Sequence, residues 1–419
     1  MHVALAALVA VITLALIVTR PAGLNEGITA VIGALAMLVL GLVPVRQALA
    51  VEVQTWNIFL FFLGMMAIAA LSDQSGVFDR VADGVARVAG GRVVVLYLGV
   101  FVIGAGISLL FANDSAALVL TPIVYALVLR LALDPLPFVY ATTFIADTAS
   151  IGFPVSNPLN VIMVDRFHLT LGAYVSRLWL PAILVILVNL TVFLVLFRRS
   201  LRGRFADISP RVAVPGFGRT LGLLAALAAA YLAGAALRFP LGVVAVVGAG
   251  ALALNLATLR LLRPRLLVTE ISWPIFGFIA GMLIVVQGLH DSGITALLGR
   301  ALVVAGTTSP PAAIAAGVVG SAAGSNVINN LPMALVMVST IHSLGVTGII
   351  RSDLIFGSIL GCDLGPNLTH LGSLATLIWL LFLRRKGLNI SALDYLRIGA
   401  IVTPPMLVTA VLGLWLTGR

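Results

Sequence analysis

Three carboxylates stand where the surrounding sequence is apolar: Asp114, Asp147 and Asp363. Of the fifteen acidic residues in the chain, these are the ones that fall well within apolar stretches. If such a stretch crosses a membrane, a carboxylate at its centre costs about 2.5–3.5 kcal/mol on insertion scales. The three could cap broken helices or pair with a buried arginine, but no arginine lies near them within an apolar stretch. Their pattern favours a pathway for a solute or for protons.

Helix-breaking residues follow two of these aspartates in the same order. Asp147 opens "DTASIGFPVSNPLN" and Asp363 opens "DLGPNLTHLGSLAT". Proline removes a backbone donor and disturbs the preceding turn, so each segment is predicted to be two half-helices joined by an unwound stretch. Ser156 and Asn157 in one segment, and Ser373 in the other, are predicted N-caps of the second half-helices. Proline kinks also occur in purely structural membrane helices, but the duplicated order favours a site.

Paired polar side chains interrupt two further apolar runs, "FAND" and "INN". These motifs place Asn113 beside Asp114 and Asn329 beside Asn330. Amides both donate and accept hydrogen bonds, which suits a small polyhydroxyl solute better than a bare cation. The alternative is hydrogen bonding between helices.

Cysteine and histidine add little further chemistry. The single cysteine, Cys362, rules out an intramolecular disulfide and leaves no cluster for a structural metal, so no metal or other cofactor is predicted. A small buried residue is the simpler interpretation of Cys362. Among the histidines only His370 lies in a candidate site, where it could handle protons.

The composition identifies the setting of these residues as a membrane. Hydrophobic residues make up 61% of the chain and charged residues 10%, whereas about a quarter of a soluble domain is charged. Apolar runs such as "ALAALVAVITLALIV" approach the roughly 20 residues that cross a bilayer as a helix, so helices and not a barrel are predicted. The formal net charge is +10, and the basic residues lie in short loops between these runs. Their distribution is explained by the orientation of the loops across a membrane and not by a nucleic-acid partner. The first run lacks a charged leader and a cleavage site, so we interpret it as a mature span.

The chain contains an internal repeat. "TWNIFLFFLGMMAIAALSDQSG", from Thr55, aligns without a gap with "SWPIFGFIAGMLIVVQGLHDSG", from Ser272. In almost the same register the alignment continues to the polar motifs and pairs Asn113 with Asn329, Asp114 with Asn330 and Asp147 with Asp363. Two halves that keep one register over such a distance are predicted to share one fold.

Loop charges predict that the two halves cross the membrane in opposite senses. The segment between them, residues 198–219, is rich in arginine and is predicted to be cytoplasmic. "RLLRPR", from Arg260, is strongly basic, whereas its counterpart around Arg46 is nearly neutral. "RRK", from Arg384, is basic, whereas its counterpart, residues 165–168, is mixed. Equivalent loops therefore face opposite sides, as in the inverted repeats of many secondary transporters.

The predicted fold class is an all-α polytopic membrane protein. It has two inverted repeats of about five transmembrane helices each, with re-entrant hairpin tips and broken helices at the midplane. The predicted units are a first repeat, a linker and a second repeat, at residues 1–197, 198–219 and 220–419. The first repeat is predicted to cross the membrane at residues 2–19, 26–44, 54–72 and 176–197. Its section 92–167 is predicted to hold a crossing, a hairpin-like break at "FAND" and a broken helix, and an interfacial helix is predicted from Val77. With the linker inside, both termini are expected outside.

The motifs resemble a known family. "FANDSAALVLTPIV", "FIADTAS", "VSNPLNVI", "INNLP" and "GCDLGPNLTHLGSLATLIWL" are similar to the signature segments of the ArsB arsenite efflux permeases. These permeases form part of a wider ion-transporter superfamily that includes dicarboxylate and sodium/proton exchangers. The likeness extends over essentially the whole chain. It implies export of arsenite and antimonite from a bacterial cytoplasm as neutral trihydroxides, exchanged for protons or driven by the membrane potential. It also implies an inner-membrane location and, in some cases, a soluble ArsA-type ATPase partner.

The resemblance and the polar motifs together give the candidate site. Residues expected to bind solute are Asn113, Asp114, Thr148, Ser156, Asn157, Asn329, Asn330, Thr369 and Ser373. Residues expected to couple protons are Asp147, Asp363 and His370. The family usually has proline at the position of His370, so proton handling can differ here. The Ser-Asn-Thr motifs of the dicarboxylate branch are present only in degraded form, which argues against sodium-coupled carboxylate uptake.

The sequence therefore predicts a non-enzymatic, proton-coupled exporter of arsenite and antimonite that works by alternating access. One alternative is a sodium/proton antiporter of the same superfamily, in which the aspartates and unwound carbonyls bind a cation. Another is an intramembrane aspartyl protease, because two aspartates face each other across a pseudo-twofold. Gly361-Cys362-Asp363 lacks the Gly-x-Gly-Asp pattern of such proteases, and the other repeated motifs have no catalytic explanation.

Overall fold

The computed structural model describes residues 2–19, 24–110, 113–206, 215–237, 239–295, 297, 309–370 and 372–418. Its regular elements within these ranges are helical, apart from an isolated antiparallel bridge between Arg92 and Arg204. Eight of the described helices are long and apolar enough to cross a membrane. The predicted class, an all-α polytopic membrane protein, is confirmed.

The first half of the chain runs from α1 to α10. These helices span α1 His2–Thr19, α2 Glu26–Val39, α3 Val45–Gln54, α4 Trp56–Gln74, α5 Val77–Val88, α6 Val93–Leu110, α7 Asn113–Arg130, α8 Leu136–Ala149, α9 Pro158–Phe167 and α10 Leu171–Leu196. The helix predicted from Val77 is present as α5. The span predicted over residues 26–44 ends early, because Gly41 has a φ of 67° and the N–H groups of Leu42 and Val43 turn back to the Met37 carbonyl. The separate helix α3 then starts after Pro44.

The second half repeats this order. Its helices span α11 Phe217–Ala236, α12 Leu241–Thr258, α13 Pro264–Glu270, α14 Pro274–Asp291, α15 Pro310–Ile328, α16 Asn330–Ser343, α17 Gly348–Leu364, α18 Leu374–Arg385 and α19 Ala392–Thr417. The short helix α13 corresponds to α3, and the long final helix α19 corresponds to α10. The counterpart of α5 falls in a region only partly described.

The two halves pack on each other reciprocally. Helix α4 packs on α12, and its counterpart α14 packs on α2, the counterpart of α12. Glycines make both contacts possible: a Cβ on Gly64 would overlap Ala245, and a Cβ on the equivalent Gly281 would overlap the backbone of Ala30. Helix α7 likewise contacts α18, and α9 contacts α16. Small residues that let two helix backbones approach closely are the usual means of association within membranes.

The beginning of the predicted linker is tied to the first half. The Phe205 N–H donates to the Gly91 carbonyl at 2.8 Å and the Val93 N–H to the Gly203 carbonyl at 3.4 Å. Leu201 and Phe205 are buried. Residues 207–214 of the linker lie outside the described residues, and α11 begins at Phe217, slightly before the predicted boundary at 220.

Candidate solute and proton site

Both predicted helix breaks are present. Helix α8 ends at Ala149, two 3₁₀ turns follow at Ser150–Gly152 and Pro154–Ser156, and α9 starts at Pro158. Helix α17 ends at Leu364, a 3₁₀ turn follows at Gly365–Asn367, and α18 starts at Leu374. Prolines stand inside or directly after each break, where they cannot donate the backbone hydrogen bonds of a continuous helix. Each break thus opens backbone polar groups beside a buried aspartate.

Of the three residues predicted as N-caps, one makes a capping hydrogen bond. Asn157 caps α9, since its side-chain oxygen accepts from the Leu159 N–H at 3.2 Å. The prediction for Ser156 is wrong, because its hydroxyl lies in the preceding turn and donates to the Leu109 carbonyl of α6 at 2.7 Å. Ser373 occupies the N-cap position of α18 but makes no side-chain capping bond there. The hydroxyl of Ser373 is thereby left for another partner.

Asp363 joins the two halves. It is fully buried, and its Oδ1 accepts from Asn157 Nδ2 at 2.6 Å and from Ser150 Oγ at 3.0 Å, both in the first half. The second oxygen, Oδ2, has no hydrogen-bond partner of good geometry among the described residues, and the Asn160 side chain lies close to the carboxylate. A buried carboxylate oxygen without a partner carries a desolvation cost, so Oδ2 is a candidate position for a proton, a water molecule or a bound solute.

Asp147 is held within its own half. It is 1% exposed, and its Oδ1 accepts from Asn113 Nδ2 at 2.8 Å. Ser150 Oγ also lies 2.7 Å from the Asp147 main-chain carbonyl, so its one O–H is shared between that carbonyl and Asp363, and this hydroxyl contacts both aspartate residues. The halves differ here: the register that pairs Asp147 with Asp363 puts Ser373 opposite Asn157, and the Ser373 hydroxyl has no hydrogen-bond partner among the described residues.

Further buried polar atoms along the breaks also have no hydrogen-bond partner among the described residues. They are Asn113 Oδ1, Ser373 Oγ, and both Oδ1 and Nδ2 of Asn367. An unsatisfied buried donor or acceptor costs about 1–3 kcal/mol, so a cluster of them is a candidate binding surface. Asn367 was not predicted from the sequence, although it lies one helical turn after Asp363 and could have been found by that spacing.

Two predicted threonines are engaged with protein. Thr148 donates to the Phe144 carbonyl at 2.6 Å and accepts from Asn189 of α10 at 2.7 Å. Thr369 donates to Asn326 Oδ1 at 2.7 Å, and Asn326 Nδ2 donates to the Gly365 carbonyl at 2.8 Å. Both hydroxyls therefore hold the walls of the breaks in place.

The hairpin tips lie next to the breaks. Asn329 has a φ of 75°, which turns the chain sharply between α15 and α16, and its side chain accepts from the Leu331 N–H at 3.4 Å. The Asn330 N–H donates to the Gly372 carbonyl at 2.9 Å, so this tip is fastened to the second break. Phe111 and Ala112 of "FAND", and the side chain of Asp114, lie outside what the structure describes.

His370 lies in the second break and is partly exposed. Among the described contacts, no hydrogen bond or ion pair joins it to Asp363. Cys362 is fully buried beside Asp363, as expected of a small core residue.

Sequence reasoning missed several polar residues that shape the region. Asn160 Nδ2 donates to the Ser150 carbonyl at 3.0 Å and braces the first break. Two buried carboxylates beyond the predicted three are paired with arginine: Asp83 with Arg130 at 2.5 Å, and Asp353 with Arg177. Their segments are mixed in polarity, so a search for charges in apolar runs passes over them.

Two cavities flank α9. One of about 320 Å³ lies between α4, α9 and the α11–α12 turn and reaches Pro154 in the first break. The other, of about 250 Å³, lies between α9, α14 and α16 and is lined by Arg166, His290, Ser339 and His342. Of these two cavities, the first is the one lined by a residue of the first break, and it gives a small solute room to approach there.

Eight membrane-length helices, together with two pairs of shorter helices that are broken beside buried aspartates, define a class: a polytopic membrane transporter. The fold is similar to the crystal structure of the Alcanivorax borkumensis YdaH transporter, with a TM-score of 0.56 and 14% identity over 87% of this chain and 86% of that one. The sequence matches the family described as ArsB, arsenical pump membrane protein, over residues 5–417, and the chain belongs to that family.

Named relatives agree with this assignment. The arsenical pump membrane protein of Escherichia coli K12 is 35% identical over 415 residues, which is 96% of both chains. That of Yersinia enterocolitica is 35% identical over 413 residues, again 96% of both. The putative arsenical pump membrane protein of Bacillus subtilis is 26% identical over 420 residues, or 94% of this chain and 95% of the relative. The predicted family is confirmed.

Proposed function

We propose that this chain exports arsenite and antimonite as neutral trihydroxides in exchange for protons. The observation that carries the proposal is Asp363: a fully buried carboxylate, bonded by Asn157 and Ser150 of the opposite half, with one oxygen left without a partner among the described residues. A trihydroxide presents three O–H groups, each able to donate and accept. The amide of Asn367 and the hydroxyl of Ser373 offer matching groups in the same break.

The same carboxylates explain exchange. A neutral solute whose hydroxyls donate to Asp363 is bound best when Asp363 is ionised. A protonated carboxyl already carries a proton on one oxygen, so it accepts fewer hydrogen bonds from the solute. Solute and proton therefore compete for one group, and the carrier returns with a proton in place of the solute. Asp147, fixed by Asn113 in the first break, is the second candidate for this role.

The repeated fold supports alternating access. We propose that residues 1–197 and 220–419 are inverted repeats, joined by a cytoplasmic linker at 198–219, with both termini outside the inner membrane. Reciprocal packing of α4 on α12 and of α14 on α2 fits such a pair. Protons flowing inward would supply the energy. An ArsA-type ATPase would be a second source and remains a prediction of the family resemblance.

The test is arsenite uptake into everted membrane vesicles under a pH gradient. The double variant Asp147→Asn, Asp363→Asn keeps the size of both side chains and is expected to slow uptake by roughly a hundredfold, as expected when a proton-transferring group is lost. The matched control is Asp134→Asn, because Asp134 is exposed and, within the described part of the chain, its side chain accepts only from the Leu136 N–H. Wild-type uptake by the double variant would disprove the assignment.

A sodium/proton antiporter is the second candidate. Asp363 Oδ2, Asn367 Oδ1 and Ser373 Oγ are the oxygen ligands that a hard cation prefers. Sodium-dependent collapse of a pH gradient in vesicles, with no response to arsenite, would select this function.

A further inference from the structure

A buried tyrosine lies near each aspartate, and it comes from the other half of the chain. Tyr174 and Tyr395 occupy the same place in α10 and α19, where each backbone N–H bonds the N-cap carbonyl, of Thr170 and of Ser391. Tyr174 lies within electrostatic range of Asp363, and Tyr395 within range of Asp147. Both tyrosines are fully buried.

The two hydroxyls differ in their bonding. The Tyr174 hydroxyl donates to the Ile151 carbonyl of the first break at 3.0 Å. The Tyr395 hydroxyl has no hydrogen-bond partner of good geometry among the described residues. One tyrosine is therefore fixed in the wall of the site, and the other is available for exchange.

Two threonine hydroxyls face that of Tyr395. Thr143 and Thr376 are buried, and their side chains lie close to the Tyr395 hydroxyl. Neither threonine hydroxyl makes a hydrogen bond of good geometry within the described part of the chain. Thr143 lies one helical turn before Asp147 on α8. Ala146 of α8 packs on Ala375 of α18, which brings the two threonine-bearing helices together.

A further buried tyrosine, Tyr140 of α8, packs beside Tyr395. The ring of Tyr140 lies 6.3 Å from that of Tyr395, centroid to centroid. Tyr140 is in electrostatic range of Asp394, which is exposed in the first turn of α19. In the proposed topology this end of α19 faces the cytoplasm.

We infer that Thr143, Thr376, Tyr395 and Tyr140 form a hydroxyl chain that conducts the proton of Asp147 to the cytoplasmic surface. The inference rests on the proposed proton exchange. The Asp147 O–H bond breaks and leaves a carboxylate. Each hydroxyl in turn accepts a proton on its oxygen and releases its own to the next, and Asp394 or surface water takes the last. Every hydroxyl ends with one proton, and one proton has entered the cytoplasm.

The test separates proton release from solute binding. Purified protein in liposomes is assayed for net arsenite transport with internal pH recorded, and for exchange of arsenite against arsenite at equal pH, which requires no proton step. Tyr395→Phe keeps the ring and its aromatic contacts with Trp379 and Phe144. It is expected to lower net transport and its proton flux by roughly tenfold or more, and to leave exchange within about twofold. Thr376→Val, a second variant of nearly equal volume, should act in the same direction.

Tyr97→Phe is the matched control. Tyr97 is also fully buried with a hydroxyl that has no partner among the described residues, but its ring packs on Phe101 and Phe138 away from this chain of hydroxyls. It should leave both assays unchanged. Wild-type net transport in both Tyr395→Phe and Thr376→Val, or equal loss of net transport and exchange, overturns the hydroxyl chain alone. Absence of arsenite-linked proton flux in the wild type overturns the proposed function itself.

Discussion

Asn157 performs two tasks with one side chain. Its oxygen caps α9 and its amide nitrogen donates to Asp363. Ser150, the C-cap of α8, also donates to Asp363, so both ends of the first break contact this carboxylate of the opposite half. The sequence predicted the cap from residue type and position. It could not predict the bond to Asp363, because a hydrogen bond between residues so far apart in the chain depends on how the halves meet.

The two tasks can be separated by substitution. Asn157→Ser keeps a good N-cap but is too short to reach Asp363, so it is expected to reduce arsenite transport roughly tenfold with little change in thermal stability. Asn157→Leu loses both functions and should also lose about 1 kcal/mol of stability. Thermal unfolding in detergent and vesicle uptake measure the two effects. Full transport by Asn157→Ser would show that the contact with Asp363 is dispensable.

For Asn367 we expect transport and stability to change in different directions. Its amide is buried with no hydrogen-bond partner among the described residues, so folding gains little from it. Asn367→Leu is expected to leave the unfolding temperature unchanged or raised, because an apolar side chain replaces a buried amide without partners. Arsenite transport is expected to fall roughly tenfold, because the variant loses a group that binds the solute. The same two assays apply. A variant that is less stable yet transports normally would assign Asn367 a structural role.

Helix-breaking residues predicted the ends of helices more accurately than hydrophobic runs did. The prolines after Asp147 and Asp363 located both breaks, because proline acts locally and needs no partner. The run over residues 26–44 gave the wrong end for α2 and missed α3, since apolar content alone does not show where a helix turns aside. The roles of Asn160 and Asn326 could not be read in advance, because their carbonyl partners exist only once the breaks have formed.

The contact of α4 with α12 and that of α14 with α2 should be equally sensitive to added volume. Gly64→Ala and Gly281→Ala each place a methyl group into the facing helix and are expected to cost about 1–3 kcal/mol. Gly84→Ala in α5 meets nothing within 4 Å and should stabilise its helix by up to about 1 kcal/mol. Thermal unfolding in detergent compares the three. Unchanged stability in both contact variants would refute close packing at these helices.

At the scale of the whole molecule, the proposed inversion makes equivalent loops face opposite sides. Replacing the buried Cys362 with alanine gives a background for single cysteines at Ser200, in the linker, and Ser343, at the end of α16, both exposed. The cysteine at 200 should react with an impermeant thiol reagent only from the cytoplasmic side, and that at 343 only from the outside. Labelling of both from one side would contradict the topology.

In the proposed mechanism, neutral arsenite leaves the cell as protons enter through Asp147 and Asp363. Because the solute is uncharged, each exchange moves positive charge inward, so a pH gradient alone and a membrane potential alone should each drive transport. The most direct measurement is arsenite uptake into everted vesicles with the two gradients clamped separately. We expect uptake under either gradient, and we expect uptake to be lost in the Asp147→Asn, Asp363→Asn variant. Uptake that responds to neither gradient, or that persists in this variant, would contradict it.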